Sequence, residues 1–152
     1  MAIDEGVALI TAAPESATTC RPQPDGWCAR EIVGHLIDSA CNNHRRFIIN
    51  QTAPTLVIEP YDQNEWTSRQ HYADRPAAEL AVLWAAYNRH LANVIESIPD
   101  DVVMLVRGDM PHDFPFTESR STAATLSNLA EDDVGHLRHH LQQIRALLTH
   151  PI

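Results

Sequence analysis

Residues 126–149 read LSNLAEDDVGHLRHHLQQIRALLT, and the fold turns on how this stretch is read. Val134, Leu137, Leu141, Ile144 and Leu148 alternate three and four residues apart, with Leu126 two turns upstream. That spacing is the seam of a helix packed in a bundle. Thr125 stands where a hydroxyl accepts from a free first-turn amide, and Pro151 bars continuation. Beside the seam, His136 and His140 are four residues apart. This places their rings one above the other on one face, within reach of a single ion.

Toward the N-terminus, three more stretches repeat a helical period, and none shows the alternation of a strand. Residues 28–50 carry Ile32, Val33, Leu36, Ile37, Ala40 and Phe47 as one apolar stripe, after the turn-like Arg21-Pro22-Gln23-Pro24-Asp25-Gly26. His35 borders that stripe. Between Asp74-Arg75-Pro76 and Pro99, the residues Leu80, Leu83, Trp84, Tyr87, Leu91, Val94, Ile95 and Ile98 give the most regular pattern in the chain, that of a scaffold helix. Ile3, Val7, Leu9 and Ile10 give a first helix of two or three turns, which Pro14 ends or kinks. The connections over residues 51–73 and 100–124 are too long for tight hairpins. A crossover of that length can traverse a helix of about 35 Å and set the second and third helices parallel. The expectation is an all-α, four-helix bundle with long crossover loops, in a single domain over residues 1–152.

Composition agrees with that expectation. The chain has 152 residues, 44% hydrophobic and 20% charged, enough to bury a core without staples. Its 11 basic and 20 acidic side chains give a net charge of −9. Such a field repels phosphate backbones and anionic lipid, so neither nucleic acid nor a membrane is an expected partner. Cys20, Cys28 and Cys41 are odd in number and show no C-x-x-C spacing, which suits a reducing cytoplasm. No signal-like leader and no apolar run of membrane-spanning length is present.

Neutral imidazole offers one lone pair to a divalent ion without adding charge, and a catalytic ion commonly takes three protein ligands and keeps a position open. His136 and His140 supply two, and His35 on the second helix is the best candidate for the third. The pair alone fits a solvated surface equally well, since nine histidines in 152 residues produce such spacings readily. His139 lies about 100 degrees around the helix from His140, facing solvent, and His44 turns to the far side of the second helix. His71, His90, His112 and His150 have no ligand spacing to a partner. Asp133 and Asp132 precede His136 by three and four residues. Either is open to reading as a fourth ligand, a general base, an orienter of an imidazole or part of a solvated acidic patch with Glu131. Asp38, one turn after His35, is a similar candidate.

Several segments together resemble the DinB/YfiT-like family of small bundle metalloproteins, within it the YfiT-like metal-dependent hydrolases and bacillithiol transferases. Arg21-Pro22 through Gly26-Trp27 resembles that family's turn into the second helix, and Glu31-Ile32-Val33-Gly34-His35-Leu36-Ile37-Asp38-Ser39 resembles its ligand-bearing segment, continued by Arg46-Phe47. Glu59-Pro60-Tyr61-Asp62 with Glu65-Trp66 is similar to its crossover motif, and Thr125-Leu126 with Asn128 to its fourth-helix start. His136, His139, His140, Leu141 and Ile144 fall where its H-x-x-x-H ending stands. The resemblance implies three histidine ligands, His35, His136 and His140, an up-down-down-up bundle and a homodimer. The first helix and its linker are shorter than the family's, and Glu131-Asp132-Asp133 replaces apolar or aromatic residues.

The functional expectation is a divalent-metal-dependent enzyme acting on a small-molecule substrate. Zinc or nickel is favoured, and iron or manganese also suits such ligands. Two chemistries fit: hydrolysis, with Asp133 as base or supporting residue, or transfer of a low-molecular-weight thiol serving as co-substrate. The alternative is a non-enzymatic metal-binding or stress-response bundle.

Overall fold

A computed structural model describes residues 2–109, 116 and 123–149, so His112, His150 and Pro151 lie outside the described residues. Among the described residues there are seven helices and one 3-10 turn. They are α1 (Ala2–Ala12), α2 (Glu15–Thr18), α3 (Ala29–Ile49), α4 (Gln63–Arg69), the turn Tyr72–Asp74, α5 (Ala77–Glu96), α6 (Asp100–Val103) and α7 (Leu126–Thr149). No strand is present among the described residues; only an isolated bridge joins Asp109 to Ala123.

Helices α1, α3, α5 and α7 form the bundle, and their contacts set its direction. Asp4 bonds Arg89 at 2.7 Å and Gly6 lies against Trp84, so α1 runs opposite to α5. His44 meets Tyr87 and His90, while Ala29 and Val33 lie near Ala77 and Leu80, which makes α3 and α5 parallel. His35 meets His140, and Asn43 bonds Asp133, so α7 runs back along α3. The order is up-down-down-up. It follows from the 51–73 crossover, which carries the chain back past α3 before α5 begins.

Local chemistry explains the helix ends. Cys28 N–H donates to Glu31 at 2.9 Å, and Arg21 joins the same carboxylate while also holding the Gly26 carbonyl. That clamp starts α3. Thr125 Oγ1 accepts from Asn128 N–H at 3.1 Å, the cap expected for α7. Pro76 immediately precedes α5, where a missing amide hydrogen costs nothing.

Two expectations needed correction. Helices α4 and α6 and the 3-10 turn fall inside stretches read only as crossovers. Asp62 caps α4 by accepting from the Asn64 and Glu65 amides, and Trp66 in that helix lies on Tyr61, 4.9 Å between ring centroids. Val134 and Leu83, placed in apolar seams, are 44% and 46% exposed. On α7 the inward positions at that level go to Asp132, Asp133 and His136, which turns Val134 outward.

Two apolar clusters fill the bundle. One centres on Trp84 with Ile32, Val33, Leu36 and Ile144; the other joins Phe47, Leu91, Leu126 and Leu129. Along α7 the first takes residues from Leu137 onward and the second ends at Ala130. The polar residues between them are where the sequence departs from a uniform core, as functional sites commonly do.

Candidate metal centre

Three imidazoles meet in that gap. His35 Nε2 lies 3.1 Å from His136 Nε2, and His136 Nε2 lies 3.0 Å from His140 Nε2. Together they form the one group of histidine, cysteine or acidic side chains among the described residues arranged to hold a metal ion. Helix geometry brings His136 and His140 together, and the antiparallel pairing of α3 with α7 adds His35. His35 is 2% exposed and so lies deeper than the rim expected for it.

The far nitrogens set the tautomers. His140 Nδ1 faces the Gln143 side-chain oxygen at 2.8 Å, so it carries the hydrogen and leaves Nε2 with a bare lone pair. Ser39 Oγ stands 3.5 Å from His136 Nδ1. Trp27 packs against the His35 ring, 5.0 Å between centroids. Burial, reinforced by the neighbouring His140, pushes His35 down to about 4. Burial and the other two imidazoles push His136 down to about 3, and burial lowers His140. Neutral rings with nitrogens converging at this distance are a donor set that fits a divalent cation, because a cation turns their lone-pair repulsion into attraction.

A cleft of about 360 Å³ opens onto this group. Along α3 its wall carries His35, Ser39, Asn43 and Arg46; α7 contributes Asp132 and His136, and the crossover adds Tyr61 and Gln63. The two acidic candidates separate here. Asp132 lines the cleft and accepts from the Phe116 amide at 2.9 Å. Asp133 bonds the Asn43 amide across the α3–α7 seam and does not join the histidine group. Burial pushes Asp133 up to about 6 and raises Asp132 as well.

Asp38 does not contact the histidines. It accepts from Tyr72 Oη at 2.8 Å and Gln70 Nε2 at 2.7 Å, a buried knot that ties the crossover to α3. His139 is exposed and bonds Gln143, and His44 packs on Tyr87 and His90 on the α5 side. Sequence reasoning assigned no role to Arg46, Asn43 or Ser39. Their positions 4, 8 and 11 residues after His35 keep them near one helix face, and a polar stripe at that spacing was the available signal.

The acid response of the metal-free protein follows from these shifts. His35 and His136 titrate near 6.5 in the unfolded chain, so unfolding takes up protons as the pH falls from about 6.5 toward 4. Stability is therefore complete above that window and is lost through it, on the order of 3 kcal/mol from His35 alone. Asp133 acts in the opposite sense between about 4 and 6, because its folded value is raised. Asp132 and Asp38, also raised by burial, act with Asp133, and His140, lowered, acts with the other two histidines; the histidine shifts, to about 4 and about 3, are the larger and set the sign. Thermal melts of chelator-treated protein should show Tm falling across this range, and His136→Leu should flatten the fall.

Comparison with known proteins agrees with this architecture. The DinB superfamily pattern matches residues 2–144. The chain belongs to the DinB superfamily, and within it to the DinB/YfiT-like proteins. It is 30% identical over 123 residues to a Bacillus subtilis (strain 168) protein named "Putative metal-dependent hydrolase YfiT", covering 80% of this chain and 64% of that one. A similarly named protein of Bacillus mycoides (strain KBAB4) is 27% identical over 124 residues, covering 80% of this chain and 65% of the relative. This chain thus spans slightly under two thirds of the length of these relatives. The solved structure of YfiT from Bacillus subtilis, described as having "an unusual four-helix bundle topology", superposes with a TM-score of 0.74 at 24% identity, over 96% of this chain and 81% of that one.

Proposed function

We propose that this chain is a divalent-metal-dependent enzyme acting on a small molecule bound in the cleft, as a low-molecular-weight thiol S-transferase or a hydrolase. The observation that carries this reading is the convergence of three neutral imidazoles beside an open cleft, with His136 Nε2 at 3.1 Å from His35 Nε2 and 3.0 Å from His140 Nε2. The relatives' names, as metal-dependent hydrolases, support it. His35, His136 and His140 are the ligands in this reading, with zinc or nickel the favoured ions. When bound, such an ion supplies Lewis acidity and lowers the pKa of a coordinated thiol or water.

The chain's own residues do the rest. Gln143 and Ser39 orient the rings of His140 and His136 through their far nitrogens, and Trp27 shields His35 from solvent. Asp132, on the cleft wall, takes the proton that the ligand gives up. Asp133 holds Asn43, and with it the spacing of α3 and α7, so its part is positional. The homodimer implied by the family resemblance belongs to the same proposal.

The assay pairs metal-loaded protein with a small thiol plus an electrophilic acceptor, and separately with simple esters and amides. Turnover of the first pair alone establishes transfer; turnover of esters or amides without thiol establishes hydrolysis. Stoichiometric metal with no turnover of either would overturn the enzymatic reading in favour of a metal-binding or stress-response bundle.

A further inference from the structure

Arg46 sits in the wall of the cleft with its charge unanswered at short range. Its Nη1 donates to Asn43 Oδ1 at 2.8 Å and its Nη2 to the Glu59 carbonyl at 3.0 Å, both neutral acceptors. Among the described residues no carboxylate stands within ion-pair distance of it, whereas Arg21, Arg30, Arg45, Arg69, Arg75 and Arg89 each have one; Arg107, Arg138 and Arg145 are likewise without an ion pair, but of these four arginines Arg46 is the one that lines the cleft. Burial moreover holds Arg46 below the usual arginine range. A guanidinium has five N–H donors in a fixed fork suited to a carboxylate. Two bonds to neutral acceptors leave that capacity partly unused and fix the side chain where it stands.

We infer that Arg46 is a carboxylate-binding residue of the cleft, so that the molecule presented to the three histidines carries a carboxylate remote from its reacting group. This rests on reading those histidines as the metal centre. The span follows from the helix. Ser39 stands level with His136, and the Arg46 side chain reaches back to Asn43, one turn farther along. At 1.5 Å per residue this separates the two subsites by roughly 6 Å. Asp132 does not fill the anion subsite, because its own oxygen is engaged by the Phe116 amide and it makes no ion pair with Arg46. Asp133 and Asp132 both act on Arg46 electrostatically, which leaves the cleft at most one net negative charge; a divalent ion outweighs it, so the loaded cleft attracts an anion.

Zinc-loaded protein titrated calorimetrically with 4-mercaptobutyrate and with 4-mercaptobutanol tests the inference. The carboxylate compound should bind about tenfold more tightly, the worth of one charge-assisted hydrogen bond. Arg46→Gln should erase that preference and leave the alcohol's affinity unchanged, with Arg46→Lys intermediate because it keeps the charge without the fork. Equal affinities in the native protein, or a preference that survives Arg46→Gln, overturn the inference. So does a variant that melts earlier yet keeps the native ratio, since Arg46 would then serve only to hold the crossover. Should Arg46→Gln not fold, the preference measured in Arg46→Lys decides: unchanged, it overturns the inference. Butyrate, which lacks the sulfur, separates this inference from the metal reading. A rise in Tm with butyrate that Arg46→Lys or Arg46→Gln diminishes supports the subsite even if no zinc is retained. The same rise in native and variant protein overturns it.

Discussion

His136→Ala is expected to fold as a helical bundle and to lose divalent-metal affinity by more than about 100-fold, since even residues that only orient a ligand cost about 10–100-fold when removed. His136 is the middle member of the group. Its Nε2 is the atom within 3.1 Å of both other imidazole nitrogens, so its loss takes away the central nitrogen and leaves only His35 on α3 and His140 on α7 to hold an ion. The measurement is metal content after dialysis against a chelator, read beside circular dichroism. His139→Ala is the matched control: its ring centroid is only 5.1 Å from that of His140, but it faces solvent and bonds Gln143. Metal should remain stoichiometric in that protein. Retention of metal by His136→Ala would place the ion elsewhere and remove the basis of the proposed chemistry.

The four long helices were legible in the sequence because each buries a stripe whose period is set by helix geometry, and because Pro14, Pro76 and Pro99 mark ends that backbone chemistry enforces. The fourfold spacing of His136 and His140 was legible for the same reason. The place of His35 beside that pair was not. A histidine at the edge of an apolar stripe reads alike whether it packs, hydrogen-bonds or ligates, and only the antiparallel approach of α7 brings it to 3.1 Å from His136. Family resemblance supplied what periodicity could not. The choice between Asp132 and Asp133 was equally closed to sequence, because adjacent positions differ by 100 degrees around a helix whose exact rotation is set by packing. Short elements escaped for a different reason. Helix α4 spans seven residues, too few to show a period, although Asp62 and Glu65 carry the spacing of a helix start.

Packing at the base of the site makes the second large effect, the response to Gly34→Ala. A Cβ built at Gly34 would lie 2.0 Å from Tyr72 Cδ2, 2.2 Å from Cγ and 2.5 Å from Cε2, so the ring lies flat on the α3 backbone and must move to admit a methyl group. Overpacking of this kind costs about 1–3 kcal/mol. Moving the ring also withdraws the Tyr72 hydroxyl from Asp38, whose other oxygen is already buried without a partner. Loss of one of the two donors to a buried carboxylate, which keeps only Gln70, adds roughly 1–3 kcal/mol. Against this, alanine in a helix interior gains only about 1 kcal/mol over glycine. The net expectation is a loss of about 1–5 kcal/mol in urea unfolding, the opposite sign from the usual glycine-to-alanine change in a helix. Tyr72→Leu alone should also destabilise, through the same aspartate. The double variant should lose clearly less than the sum of the two, because the steric conflict and the broken hydrogen bond share one ring. Strict additivity would show that Gly34 and Tyr72 act independently, and that the glycine in the Gly34-His35 segment serves something other than the seat of that ring.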